Sequence, residues 1–110
     1  MAKVFLIEKT KPNIDITEAT NFGELEYLFD QNQRRCSAFD TIKYQREMLR
    51  RLDAADFDPD NDYICVAGSV LVLSICLIAI AQRYERFKTL LFSSTESKYI
   101  ERVFDINYVN

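Results

Sequence analysis

Tyr63-Ile64-Cys65-Val66-Ala67-Gly68-Ser69-Val70-Leu71-Val72-Leu73-Ser74-Ile75-Cys76-Leu77-Ile78-Ala79-Ile80-Ala81 carries no charge. Gly68-Ser69 divides it in two. Tyr63 to Ala67 is β-prone without polar alternation, the pattern of a strand covered on both faces. Ser69 is a good helix N-cap, and Val70 to Ala81 reads as an apolar helix that turns polar at Gln82-Arg83-Tyr84-Glu85-Arg86. Cations there suit a helix C-terminus. As one continuous helix the run would cover roughly 28 Å, close to a bilayer core of about 30 Å. Arg83, Arg86 and Lys88 would then mark the inner side. The Gly68-Ser69 break decides against that, as do two further amphipathic strands that need a sheet to join. A buried strand-turn-helix without a membrane span is the expectation.

Val4 to Ile7 is a short apolar run flanked by charge and fits a buried strand. Pro12 in the following polar stretch excludes a central strand there. From Phe22 to Phe29 the pattern alternates, with Leu25, Tyr27 and Phe29 on one face and Glu24, Glu26 and Leu28 on the other. Ile14 to Ala19 either extends that strand or forms a short one of its own. Ser37-Ala38-Phe39-Asp40 fits a capping box, and Ile42, Leu49 and Leu52, widened by Tyr44 and Met48, recur at helical spacing. The helix is placed from about Phe39 to Ala54. Asp58-Pro59-Asp60-Asn61-Asp62 is a turn signal. Lys88 to Ser93 and Tyr99 to Phe104 read as strands joined by Ser94-Thr95-Glu96-Ser97. The element order is β-β-α-β-α-β-β, an α/β (or α+β) domain over 1–110 with one sheet and two helices, its β-α-β unit crossing right-handed.

With 110 residues, 48% of them apolar, the chain suffices for one core and is too short for two. Only two Gly and two Pro argue for regular elements joined by short connections. The net charge of −3 hides an asymmetry. Arg34, Arg35, Lys43, Arg46, Arg50 and Arg51 cluster against Asp40 and Glu47, inside an acidic frame. Three cysteines without a C-x-x-C pair read as free thiols of a reducing compartment. The start has too short an apolar run for a signal peptide; a cytoplasmic protein is expected.

Val70, Leu71, Val72, Leu73, Ile75, Cys76, Leu77, Ile78 and Ile80 surround the second helix, with Ser74 the lone polar interruption. A helix apolar all round must be covered all round. One sheet and one other helix cover only part of it, so a homo-oligomer, most simply a two-fold dimer, or a protein partner is expected on Leu71, Leu73, Leu77 and Ile78.

No histidine is present, which removes the commonest general base and metal ligand and lowers the case for an enzyme. Asp58, Asp60 and Asp62 open like a calcium loop, but Tyr63 stands at position six and Ser69 at position twelve, where the loop needs Gly and Glu. No metal and no cofactor are expected. Gly68-Ser69 follows a strand and opens a helix, where α/β folds bind phosphates, yet no glycine-rich phosphate motif surrounds it. If a small ligand or nucleotide binds, Gly68 and Ser69 with Asp58, Asp60 and Asp62 are the candidate residues. Cys36, beside Arg34-Arg35 but flanked by Asp30 and Asp40, reads as an inert loop thiol. Lys43, Arg46, Arg50 and Arg51 form a basic helix face that reads first as a solvated surface. It is also a candidate grip for nucleic acid or an acidic protein patch, with nucleic acid disfavoured by the acidic remainder.

Asn21-Phe22-Gly23-Glu24-Leu25 at a strand entry is followed by the basic helix and by Phe57-Asp58-Pro59-Asp60-Asn61-Asp62-Tyr63-Ile64. That stretch leads to Gly68, an apolar helix and a closing hairpin. From about Lys3 to Val103 this resembles a group of small tailed-bacteriophage proteins without assigned activity. Ser69-Val70 stands where the group often has an acidic residue and Pro. The resemblance implies a viral accessory protein made in the host bacterial cytoplasm and no catalytic residues. The expected function is a non-enzymatic interaction protein, acting as a homo-oligomer on a host or viral macromolecule. A ligand-binding domain at Gly68-Ser69 and a nucleic-acid binder at the basic helix are the alternatives.

Overall fold

The computed structural model describes residues 2–7, 17–29, 41–66, 70–93 and 95–107. Its elements follow the order read from the sequence. Strand β1 is Lys3–Leu6, β2 Glu24–Tyr27, helix α1 Thr41–Ala54, β3 Tyr63–Val66, α2 Val70–Arg83, β4 Arg86–Ser93 and β5 Lys98–Asp105. Thr17–Asn21 forms a 3-10 turn, so the end of the Ile14 to Ala19 stretch is not a strand. Ser37 and the proposed capping box fall outside the described residues.

The five strands make one mixed sheet in the order β2-β1-β3-β4-β5. The first three ladders are parallel and β4–β5 is an antiparallel hairpin. From β1 to β2 the chain steps one way across the sheet; from β2 to β3 and β3 to β4 it steps the other. Right-handed connections then put both helices on one face and Thr17–Asn21 on the other. The two apolar clusters match this. Phe5, Ile7, Ile64 and Phe87 meet α1 and α2 on one side, while Val4, Leu6, Cys65, Leu90 and Tyr99 meet Ala19 on the other. Alternate residues of β1 and β3 thus serve opposite cores, which is why neither strand shows polar alternation.

Helix α1 buries Tyr44, Met48 and Leu52, spaced four apart. Ile42, read as part of that stripe, is 66% exposed. It lies on the far side of the first turn from Tyr44, so spacing to Leu49 alone misplaced it. The helix ends in a Schellman cap: Phe57 N–H donates to Leu52 O and Asp56 N–H to Asp53 O, both at 3.1 Å. Asp56 takes the left-handed conformation that this cap needs, at φ 57°.

Helix α2 is covered on one side and open on the other. Val72, Ile75, Cys76, Ala79 and Ile80 are buried, whereas Leu71, Ser74 and Ile78 form an exposed line. Its end is held to α1 by Arg83 Nη1, which lies 2.7 Å from Asp53, and by Gln45 Nε2 donating to Gln82 at 3.0 Å. Among the described residues no helix is long and apolar enough to cross a membrane.

Candidate functional site

The aspartates of the 58–62 turn hold the turn itself. Asp58 accepts the N–H of Asp60 at 2.9 Å and the Asn61 side-chain amide at 2.7 Å. These bonds, the Asn61 amide foremost, hold its carboxyl below the usual aspartate range. Asp62 is only 5% exposed and accepts two backbone N–H groups, from Lys3 at 2.9 Å and Asp58 at 2.8 Å. Asp60 is exposed. This turn precedes β3, whereas Gly68 and Ser69, outside the described residues, follow it. Among the described residues no cluster of three metal-ligating side chains occurs.

The basic face of α1 divides into two pairs. Arg50 and Arg51 both bond Glu47, with Arg51 Nε 3.1 Å from Oε1. Those bonds, Arg50 first, hold the Glu47 carboxyl down at about 2. Arg51 also donates to Leu28 O at 2.8 Å and lies 4.4 Å over the Phe29 ring, which stacks on Tyr44. It therefore anchors the end of β2 to the helix. Lys43 and Arg46 remain as exposed cations on that face. Two such cations are few for tracking a phosphate backbone.

Cys65 and Cys76 are buried, and burial pushes their thiols up to about 11 and about 12. Neither is a nucleophile at neutral pH. Cys36 lies outside the described residues.

On the second face, Tyr63 donates its hydroxyl to Glu101 at 2.9 Å, while Lys88 Nζ sits 4.3 Å over its ring. Beside it Glu18, Glu96 and Glu101 alternate with Lys98 and Arg102 around an open polar hollow. Opposite charges interleaved in this way select no single ligand charge.

The other face carries the feature the sequence pointed to only in part. Leu77, Ile78 and Ala81 of α2 and Phe87, Phe104 and Ile106 line a groove of about 270 Å³, with Asp105 the only charged residue among its described walls. Ile78, Phe104 and Ile106 are 58%, 42% and 54% exposed around it. Of the helix residues singled out earlier, Leu77 and Ile78 border this groove and Leu71 is exposed further along α2, whereas Leu73 packs onto the helix-side core. Phe104 and Ile106 were missed as part of one surface. The alternation of β5 was visible, but not that β5 lies at the sheet edge beside α2.

The model of a family described as phage Pam3 gp32-like protein matches residues 2–106. No curated protein and no solved structure matches the chain.

Proposed function

The chain belongs to that bacteriophage family, and we propose that it works as a non-catalytic, self-associating interaction protein of the phage, acting in the host cytoplasm. The observation that carries this reading is the exposure of Ile78, Phe104 and Ile106 around one apolar groove. Apolar side chains scattered singly need no explanation, but a contiguous group beside a concave surface marks a contact site. A two-fold contact suits it because such an interface sets each group near its own copy, and a patch with almost no charge does not repel itself. Burial of the catalytic-type thiols and the structural engagement of Asp58, Asp62, Arg50 and Arg51 support a binding role over chemistry. Light scattering tests it: the wild type gives twice 12.9 kDa at high micromolar concentration, and Ile78→Glu shifts the mass toward 12.9 kDa. A wild-type mass of 12.9 kDa throughout removes the self-association reading.

A second reading is favoured by the topology. The chain reverses its direction of travel between β1 and β3, and sheets of this kind bind small ligands beyond the carboxyl ends of the strands at such a reversal. The connection from β3 to α2, carrying Gly68 and Ser69, leaves from that place. A nucleotide panel should then raise the melting midpoint of the wild type and not of Ser69→Asp; an unchanged midpoint across the panel defeats this reading.

A further inference from the structure

β5 is the last strand of the sheet. Ile106 donates its N–H to Glu85 O at 2.9 Å, and the register continues through Phe104 with Phe87 and Arg102 with Thr89. Even-numbered residues of this strand therefore direct their backbone groups to β4. In an antiparallel ladder the alternate residues turn theirs the other way. The backbone N–H groups of Glu101, Val103 and Asp105 thus face outward along that edge, where no further strand lies among the described residues and Glu101 O accepts the Arg102 guanidinium at 3.1 Å. Side chains sort by the same parity. Phe104 and Ile106 lie on the helix side, against the groove beneath Ile78, whereas Glu101 lies on the opposite face with Tyr63.

We infer that a second copy of this chain occupies this edge, the two β5 strands pairing antiparallel about a two-fold axis perpendicular to the sheet, so that two five-stranded sheets become one of ten strands. The choice of occupant follows from what the edge lacks. It offers a row of backbone donors and acceptors beside an apolar groove, so the fitting partner is a strand with apolar side chains at alternate positions. β5 is such a strand. An axis perpendicular to the sheet keeps each face on its own side, so Phe104 and Ile106 of both copies arrive together on the helix side, next to Ile78 of both α2 helices. The inference rests on the self-association reading and adds its geometry.

Val103→Pro tests it. The N–H of Val103 faces outward, so the substitution removes an edge donor and leaves the β4 ladder intact. The expected result is a mass of 12.9 kDa with the circular dichroism of the wild type. Amide exchange in the unsubstituted protein gives an independent reading. The amides of Glu101, Val103 and Asp105 should exchange about tenfold more slowly at concentrations where the mass doubles. This measurement decides the matter by itself if Val103→Pro fails to fold. Doubled mass with those amides exchanging freely, and lost in Ile78→Glu, overturns strand pairing and leaves self-association through the helix. A monomeric wild type overturns both. Edge amides protected only when a second phage protein is added assign the edge to a foreign strand and overturn the inference as well.

Discussion

Asp62 Oδ1 accepts the backbone N–H of Lys3 at 2.9 Å, joining residues 59 positions apart. The same carboxylate accepts from Asp58, so one buried acid locks the turn before β3 and the first residue of β1 together. Replacing it by Ala leaves two N–H groups without their acceptor. Asp62→Ala is expected to cost about 2–3 kcal/mol, with a fall in melting midpoint of roughly 10 °C. Asp62→Asn, which keeps one oxygen, loses less. Thermal unfolding followed by circular dichroism measures both, and equal midpoints for Ala and wild type contradict this role.

Gly23 has no room for a side chain. A Cβ built there would sit 2.4 Å from the carbonyl oxygen of Ala2, which accepts the N–H of Glu24. Backbone cannot swing aside as a side-chain tip can. Gly23→Ala should destabilise by about 1–3 kcal/mol through a forced shift of β2 against β1. Urea unfolding checks it through the midpoint.

The left-handed Asp56 in the α1 cap predicts a gain. Gly adopts φ 57° without the steric cost that a Cβ imposes. Asp56→Gly should raise stability by about 0.5–1 kcal/mol while the cap bonds persist. A lowered urea midpoint would show that the Asp56 side chain contributes more than its strain costs.

Glu47 sets a pH dependence. Its carboxyl, held to about 2 chiefly by Arg50 and further by Arg51, lies below the ordinary value of 4.5. A carboxylate lowered by folding stabilises the native state above its unfolded pKa, and that contribution fades as pH falls from 4.5 toward 2. The group is partly exposed, so solvent screening keeps the effect small. In a side-chain carboxyl NMR titration the Glu47 midpoint should lie well below 4.5. Arg50→Gln should return its midpoint toward the ordinary range.

The thiols of Cys65 and Cys76 should resist alkylation at pH 8 in the folded protein and react once it is denatured, because burial raises both. Peptide mapping by mass spectrometry distinguishes the two states; rapid native labelling of either would mean that its core opens readily.

Element types were legible wherever local pattern decides them. Phe5 and Ile64 sit in uninterrupted apolar runs because neighbours cover both faces, and β3 ends at Val66 while α2 begins at Val70, as separate elements. Long-range placement was not legible. Asp62 looks like any acid of a polar turn, and only the arrival of β1 buries it. Phe104 alternates as a strand residue should, but its exposure depends on β5 lying at the edge, which follows from the order of all five strands. Ile42 and Leu71 carry apolar side chains to solvent despite their spacing, since the breadth of a helix face that packing covers is set by the neighbouring element. For the candidate site, the sequence located α2 as a surface needing cover and missed the strand that borders it.

The interior position of β1 bears on how the chain reaches this state. Val4 lies between Leu25 on one side and Tyr63 on the other. During synthesis its second neighbour emerges only after some sixty residues have been added. Until then an apolar strand that ends up fully enclosed has one side open. Loop closure over that distance precedes any gain from the pairing, so assembly of the sheet centre should limit the folding rate. Nascent chains stalled before Tyr63 are the species most prone to mispair, and there the phage protein would most depend on host chaperones.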